Sequence, residues 1–117
     1  GKISLPRLEP ESFLLWLKGS ATRGLFDIIM LAAGISIRPL WESISTRALI
    51  SGVKAGLGIS VLPEQLVRAD LDSGGLTEPQ FENLEFRRKF SLILHKNKNL
   101  SRAARNFLLE ALPSMQS

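Results

Sequence analysis

Two clusters of small hydroxyl residues stand where a short apolar run gives way to an amphipathic one. The first is Ser20 and Thr22 within Gly19-Ser20-Ala21-Thr22-Arg23; the second is Ser43, Ser45 and Thr46, with Ile44 among them, within Glu42-Ser43-Ile44-Ser45-Thr46. Hydroxyls beside the free backbone N–H groups of a helix start can hold a carboxylate or phosphate, because unsatisfied donors and the positive end of the helix dipole converge there. Ser and Thr are also the commonest helix caps, so each cluster taken singly reads first as a plain helix start. The coincidence of two brings the ligand reading level with it: if both clusters follow parallel strands, they share the sheet edge at which open α/β folds hold their ligands.

Other chemistry is thinly supplied. The chain has no cysteine and one histidine, His95, which excludes disulfide frameworks, thiolate metal sites and cysteine nucleophiles. His95 ends an apolar run with no partner histidine and no carboxylate nearby in sequence, and reads as an ordinary boundary residue. With no acid/base pair in view, the sequence reads as a non-enzyme that needs no cofactor and no metal. Gly52-Val53-Lys54-Ala55-Gly56-Leu57-Gly58 lacks the spacing of a phosphate loop and ends a helix where such a loop begins one. It reads instead as a glycine-rich helix stop that brings helix and sheet together. The basic residues Arg87, Arg88 and Lys89, with Lys96, Lys98, Arg102 and Arg105, lack interleaved aromatics or a helix-turn-helix pattern and read as a solvated face.

The elements that must position the hydroxyls follow from periodicity. Phe13-Leu14-Leu15-Trp16-Leu17 is too short for a stable helix and continuously apolar, which suits a strand buried on both faces. A helix of about three turns follows, with Leu25, Phe26, Ile29, Met30 and Ala33 on one face and Gly34 closing it. Ile35 to Glu42 reads as a strand at or near a sheet edge, because Pro39 limits the middle of any ladder. A second helix carries Ala48, Leu49, Ile50, Val53 and Leu57; Ile59 to Leu62 is a third strand stopped by Pro63, which opens a brief third helix. Strand, helix, strand, helix, strand is the order of a right-handed parallel α/β unit. After the turn Asp72-Ser73-Gly74-Gly75, the run Glu85 to His95 reads as one long strand crossing the molecule, and Ser101 caps a last helix with Ala104, Phe107, Leu108, Ala111 and Leu112 on one face.

The chain of 117 residues has room for one core. Its 44% hydrophobic and 22% charged content is that of a folding domain, and its 15 Lys and Arg against 11 Asp and Glu give a net charge of +4. Lys18, Arg23, Asp27 and Arg38 interrupt the most apolar stretch well short of the ~20 residues of a membrane span, so no membrane partner is expected. The opening Gly1-Lys2-Ile3-Ser4 reads as the middle of a longer protein.

The stretch from Glu42-Ser43 through Leu49-Ile50 to Val53-Lys54-Ala55-Gly56-Leu57-Gly58-Ile59-Ser60-Val61-Leu62-Pro63 resembles the effector-binding (substrate-binding) domain of LysR-type transcriptional regulators. Supporting matches are Phe13-Leu14-Leu15 with Gly19 to Arg23, the turn Gly74-Gly75-Leu76, and Leu100-Ser101 with Ala103 to Leu108, so the likeness runs from about Ile3 to Leu112. The resemblance implies an α/β fold, a Rossmann-like lobe of the type 2 periplasmic-binding-protein class with a parallel sheet flanked by helices. It implies a second lobe at about 13–85, then a returning cross-over strand and C-terminal helix at about 86–117, with the first lobe and the DNA-binding winged helix-turn-helix absent from this sequence. Carried over position by position, it implies contacts to a small anionic effector from Ser20, Thr22, Ser43, Ile44, Ser45, Thr46 and from Ile59 or Ser60. It further implies a cytoplasmic, DNA-binding parent that is a homo-oligomer, with the last helix dimerising or swapping in the fragment. A lobe of an extracytoplasmic solute-binding protein is the alternative on the same fold.

Overall fold

A computed structural model of the chain describes residues 3–82, 84–98 and 100. After a 3-10 turn at Leu5–Leu8 come β1 (Phe13–Trp16), α1 (Ala21–Ala32), β2 (Pro39–Ser43), α2 (Thr46–Lys54), β3 (Ser60–Leu62), α3 (Glu64–Asp72), β4 (Leu76–Thr77), α4 (Leu84–Lys89) and β5 (Ser91–His95). The last helix expected from Ser101 onwards lies outside the described residues.

The parallel unit read from the sequence is present. β1 pairs in parallel with β2, with Trp16 opposite Ser43 at their C-terminal ends, and β1 meets β3 through the parallel bridge Phe13–Ile59. β3 then pairs antiparallel with β5, and β5 antiparallel with β4. The spatial order is therefore β2-β1-β3-β5-β4, with every strand but β5 running the same way. Pro39 stands at the first residue of β2, where its missing N–H is tolerated, and β2 lies at the edge. That strand begins four residues later than the β-branched run from Ile35 had suggested.

The run Glu85 to His95 is a helix followed by a strand, and not one long strand. Phe86 and Phe90 are four residues apart, so a helical turn places both rings on one side; their centroids are 5.5 Å apart and both are buried. The long-strand expectation followed the apolar character of the end of the run, and the helical spacing of these two phenylalanines won over it.

Burial explains the layers. Phe13 and Leu15 of β1 point to one face of the sheet and join Phe26, Ile29 and Met30 of α1 with Phe81, Phe86 and Phe90. Leu14 points to the other face and packs with Leu49, Ile50 and Val53 of α2, Leu62, Val67, Leu76 and Ile93. α1 and α2 thus cover opposite faces of the sheet, which is why β1 is apolar at every position. α2 approaches closely because Gly52 has no side chain: a Cβ there would lie 2.7 Å from Leu14 Cδ1 and 2.9 Å from Trp41 Cζ3. Gly56, at φ +80°, ends that helix in the left-handed conformation the sequence reading required.

Candidate functional site

Parallel pairing sets both hydroxyl clusters on one edge of the sheet. Beyond Trp16 the chain turns through Gly19, at φ +106°, and Ser20 caps α1, its Oγ accepting the Arg23 N–H at 3.1 Å. Beyond Ser43 the chain turns through Ile44, and Ser45 caps α2, its Oγ accepting the Ala48 N–H at 3.1 Å. Ser43 Oγ accepts the Ser45 N–H at 3.0 Å. The two junctions abut, because the Trp16 indole Nε1 donates to Thr46 Oγ1 at 3.2 Å.

The oxygens of Ser20, Ser43, Ser45 and Thr46 are all already accepting a hydrogen bond, while the proton of each hydroxyl has no acceptor among the described residues. With the first N–H groups of α1 and α2, the edge offers hydrogen-bond donors to whatever lies above it. Such an edge selects an acceptor, and best an anionic one. Ile44 is 83% exposed between the hydroxyls and can add an apolar contact. Thr22 is half-buried and, with Leu15, Trp16, Arg23, Phe26 and Val61, lines a cavity of about 10 Å³, scarcely room for a water molecule.

Ile59 and Ser60 lie elsewhere. Both are fully buried, Ile59 in the core against β1 and Ser60 with its Oγ donating to the Leu14 carbonyl. The end of β3 nearest the junctions is Leu62, two residues on. The structure brings together Ser20, Thr22, Ser43, Ile44, Ser45 and Thr46, and leaves Ile59 and Ser60 in the sheet interior.

Four residues at this edge, Trp16, Arg23, Asp27 and Glu42, carried no assigned site role in the sequence reading. Arg23, 5% exposed, sends Nη1 to Glu42 Oε2 at 2.7 Å and to the Trp16 carbonyl at 2.8 Å, and Nε to Asp27 Oδ1 at 3.0 Å. Burial works against the guanidinium's charge; the hydrogen bonds and charges of Glu42 and Asp27 outweigh it, and the pKa stands above its ordinary value. The available signals were the i, i+4 spacing of Arg23 and Asp27 and a Trp, with its polar N–H, ending a strand otherwise of Phe and Leu. His95 lies at the other end of the sheet, its Nδ1 accepting the Asn97 N–H at 3.0 Å.

The description LysR substrate binding domain matches residues 1–116. The chain belongs to that family. Among LysR-family relatives, the RuBisCO operon transcriptional regulator of Allochromatium vinosum is 31% identical over 116 residues, covering 97% of this chain and 38% of that protein. The HTH-type transcriptional regulator CbbR of Rhodospirillum rubrum is 29% identical over 103 residues, covering 88% of this chain and 35% of its own. This chain spans somewhat over a third of the length of these relatives. The regulatory domain of CcmR from Synechocystis PCC6803, solved in complex with 2-PG, superposes with a TM-score of 0.67 at 25% identity, covering 92% of this chain and 52% of that one. The fold is thus the periplasmic-binding-protein-like α/β fold of LysR regulatory domains. The relatives are regulators of transcription, which goes against the transport alternative. Among the described residues no helix is long and apolar enough to cross a membrane, and no group of three or more His, Asp or Glu could hold a metal ion.

Proposed function

We propose that this LysR substrate-binding chain is the second, effector-sensing lobe of a non-enzymatic, cytoplasmic transcriptional regulator, and that it holds a small anionic metabolite between itself and a first lobe. The observation that carries this reading is the row of hydroxyls at two abutting strand-to-helix junctions, Ser20 on one side and Ser43, Ser45 and Thr46 on the other, each accepting one hydrogen bond and keeping its proton to donate. Thr22 and Ile44 complete the contact surface, and Ile59 and Ser60 serve it through the strand they build. The complex of the CcmR regulatory domain with 2-PG supports an anion as the class of ligand. Binding acts by favouring one arrangement of the two lobes, through its differential affinity for it. DNA is reached only through a winged helix-turn-helix elsewhere in the parent protein.

The test is calorimetric titration of the two-lobed domain that contains this chain with 2-phosphoglycolate and, separately, inorganic phosphate. Saturable heat that is lost on replacing Ser45 and Thr46 together by Ala and Val is the expected result. Binding that survives this double change would remove the second junction from the site. The parent is also read as a homo-oligomer: Ile28 and Leu31 on the outer face of α1 and Leu40 on the edge strand are exposed, and a second copy is their occupant. Light scattering showing a concentration-independent monomer would count against it.

A further inference from the structure

Arg23 is the most buried charged side chain at the proposed site, and its Nε and Nη1 are both turned inward onto protein acceptors. It joins three elements: its own helix through Asp27, the last carbonyl of β1 through Trp16, and the end of β2 through Glu42. The Trp16 indole then continues the connection to Thr46 at the start of α2. Glu42 stands one residue before Ser43, and Trp16 lies opposite Ser43 in the sheet register, so a single guanidinium fixes the distance between the two hydroxyl clusters.

We propose that Arg23 is a positioning residue for the effector, one that sets the spacing of the two junctions without touching the ligand. The proposal rests on the effector-binding reading above. A guanidinium suits this better than an ammonium, because Nη1 reaches a carboxylate and a carbonyl on two strands while Nε holds Asp27 on its own helix, whereas a lysine offers one compact charge. Arg23 Nε and Nη1 are held by two carboxylates and a carbonyl, so these donors serve the protein's own elements.

The quenching arm uses this chain in a Trp41→Phe background, which leaves Trp16 as its only tryptophan, and the titration arm carries the same substitutions in the two-lobed domain. Arg23→Lys, Glu42→Gln and Glu42→Ala are compared by 2-phosphoglycolate titration and by iodide quenching of Trp16 emission. Arg23→Lys and Glu42→Ala should each weaken binding on the order of ten-fold, the usual cost of disturbing a shell that orients ligating groups. Both should make Trp16 more accessible to iodide, while Glu42→Gln, which keeps an acceptor oxygen for Nη1, restores binding relative to Glu42→Ala. Glu42→Gln behaving like Glu42→Ala would assign the effect to charge and overturn the proposal. So would unchanged Trp16 quenching in Arg23→Lys, or in Glu42→Ala should the lysine variant not fold. If the unsubstituted two-lobed domain that contains this chain binds neither 2-phosphoglycolate nor inorganic phosphate, the effector reading fails by itself, and the quenching series still decides whether Arg23 fixes the junctions.

Discussion

At the scale of single residues, the structure separates groups that build the edge from groups that present it. Ser60 belongs to the first kind: its buried hydroxyl ties β3 to the Leu14 carbonyl of β1. Ser60→Ala should lower stability by about 1 kcal/mol, the net worth of one such hydrogen bond, and leave anion binding unchanged. Urea unfolding beside a ligand titration checks both halves. The glycines make a sharper case. A Cβ at Gly58 would lie 2.5 Å from the Ser12 carbonyl oxygen, a backbone atom that cannot rotate away, whereas at Gly52 it would meet the Leu14 and Trp41 side chains. Gly52→Ala should cost roughly 1–3 kcal/mol by overpacking, and Gly58→Ala should cost more, both read as lowered midpoints in thermal unfolding. The sequence reading had these glycines bringing helix and sheet together, and Gly52 does so. It missed Arg23 because a buried arginine looks the same in sequence as an exposed one until the partners from β1 and β2 are in place.

At the scale of elements, helix α2 is held from two sides. Its inner face packs on Leu14, and its last turn sends Lys54 Nζ to Asp70 Oδ1 of α3 at 2.6 Å, with Arg47 Nη1 3.4 Å from Oδ2. The Lys54 hydrogen bond, opposed by burial and reinforced by the charges of Lys54 and Arg47, holds the Asp70 carboxyl below its ordinary value. A depressed folded pKa means that the unfolded chain takes up this proton first as pH falls. The contribution is therefore complete at neutral pH and is lost as pH drops through and below the ordinary carboxylate value of about 4. Asp70→Asn should remove about 1–2 kcal/mol at pH 7 and flatten the acid limb of the stability curve, measured by urea unfolding between pH 7 and 3. The caps are a separate test of α1 and α2. Ser20→Ala and Ser45→Ala should each cost about 1 kcal/mol, and, because each also removes a donor from the edge, both should weaken 2-phosphoglycolate binding. A change confined to stability would make them caps only.

Helices and strands up to Pro63 were legible because their apolar spacing and their stop residues agreed with the tertiary fold. Phe26, Ile29 and Met30 are buried as the helical period requires, and Gly34 and Gly56 take positive φ where each helix ends. Beyond Asp72 the two signals parted. The run from Leu84 to His95 holds six helical residues and five strand residues with only Phe90 between them, and the helical spacing of Phe86 and Phe90 in it was outweighed by the continuous apolar end. The donor edge was legible in part. Which residues stand at it followed from the strand order, but the hydrogen bonds that the four hydroxyl oxygens accept depend on Trp16 and two caps that only the folded chain brings into reach.

At the scale of the whole molecule, the sheet is two parts joined at one bridge. β1 and β2 form one and β3, β5 and β4 the other, with Phe13 and Ile59 between them. Both backbone bonds at that bridge, Leu14 N–H to the Ile59 carbonyl at 2.8 Å and Ile59 N–H to the Ser12 carbonyl at 2.9 Å, are buried beneath Leu49 and Ile50 on one face and Phe26 on the other. Native-state hydrogen exchange should find the Leu14 and Ile59 amides among the slowest in the chain, and exchange as fast as at Leu40 on the edge would show that the two parts open independently.

The place of β5 has a consequence for the order in which the chain can fold as it is made. The strand that fills the gap between β3 and β4 is the last of the described strands, so β4 has no neighbour to pair with until Ser91 to His95 have left the ribosome. The β1, α1, β2, α2, β3 unit can assemble early from contacts between successive elements, while the far side of the sheet waits with an open β3 flank. During synthesis that flank is the surface most exposed to wrong pairing, and its brevity, three residues in β3 and two in β4, is the fold's own protection against it.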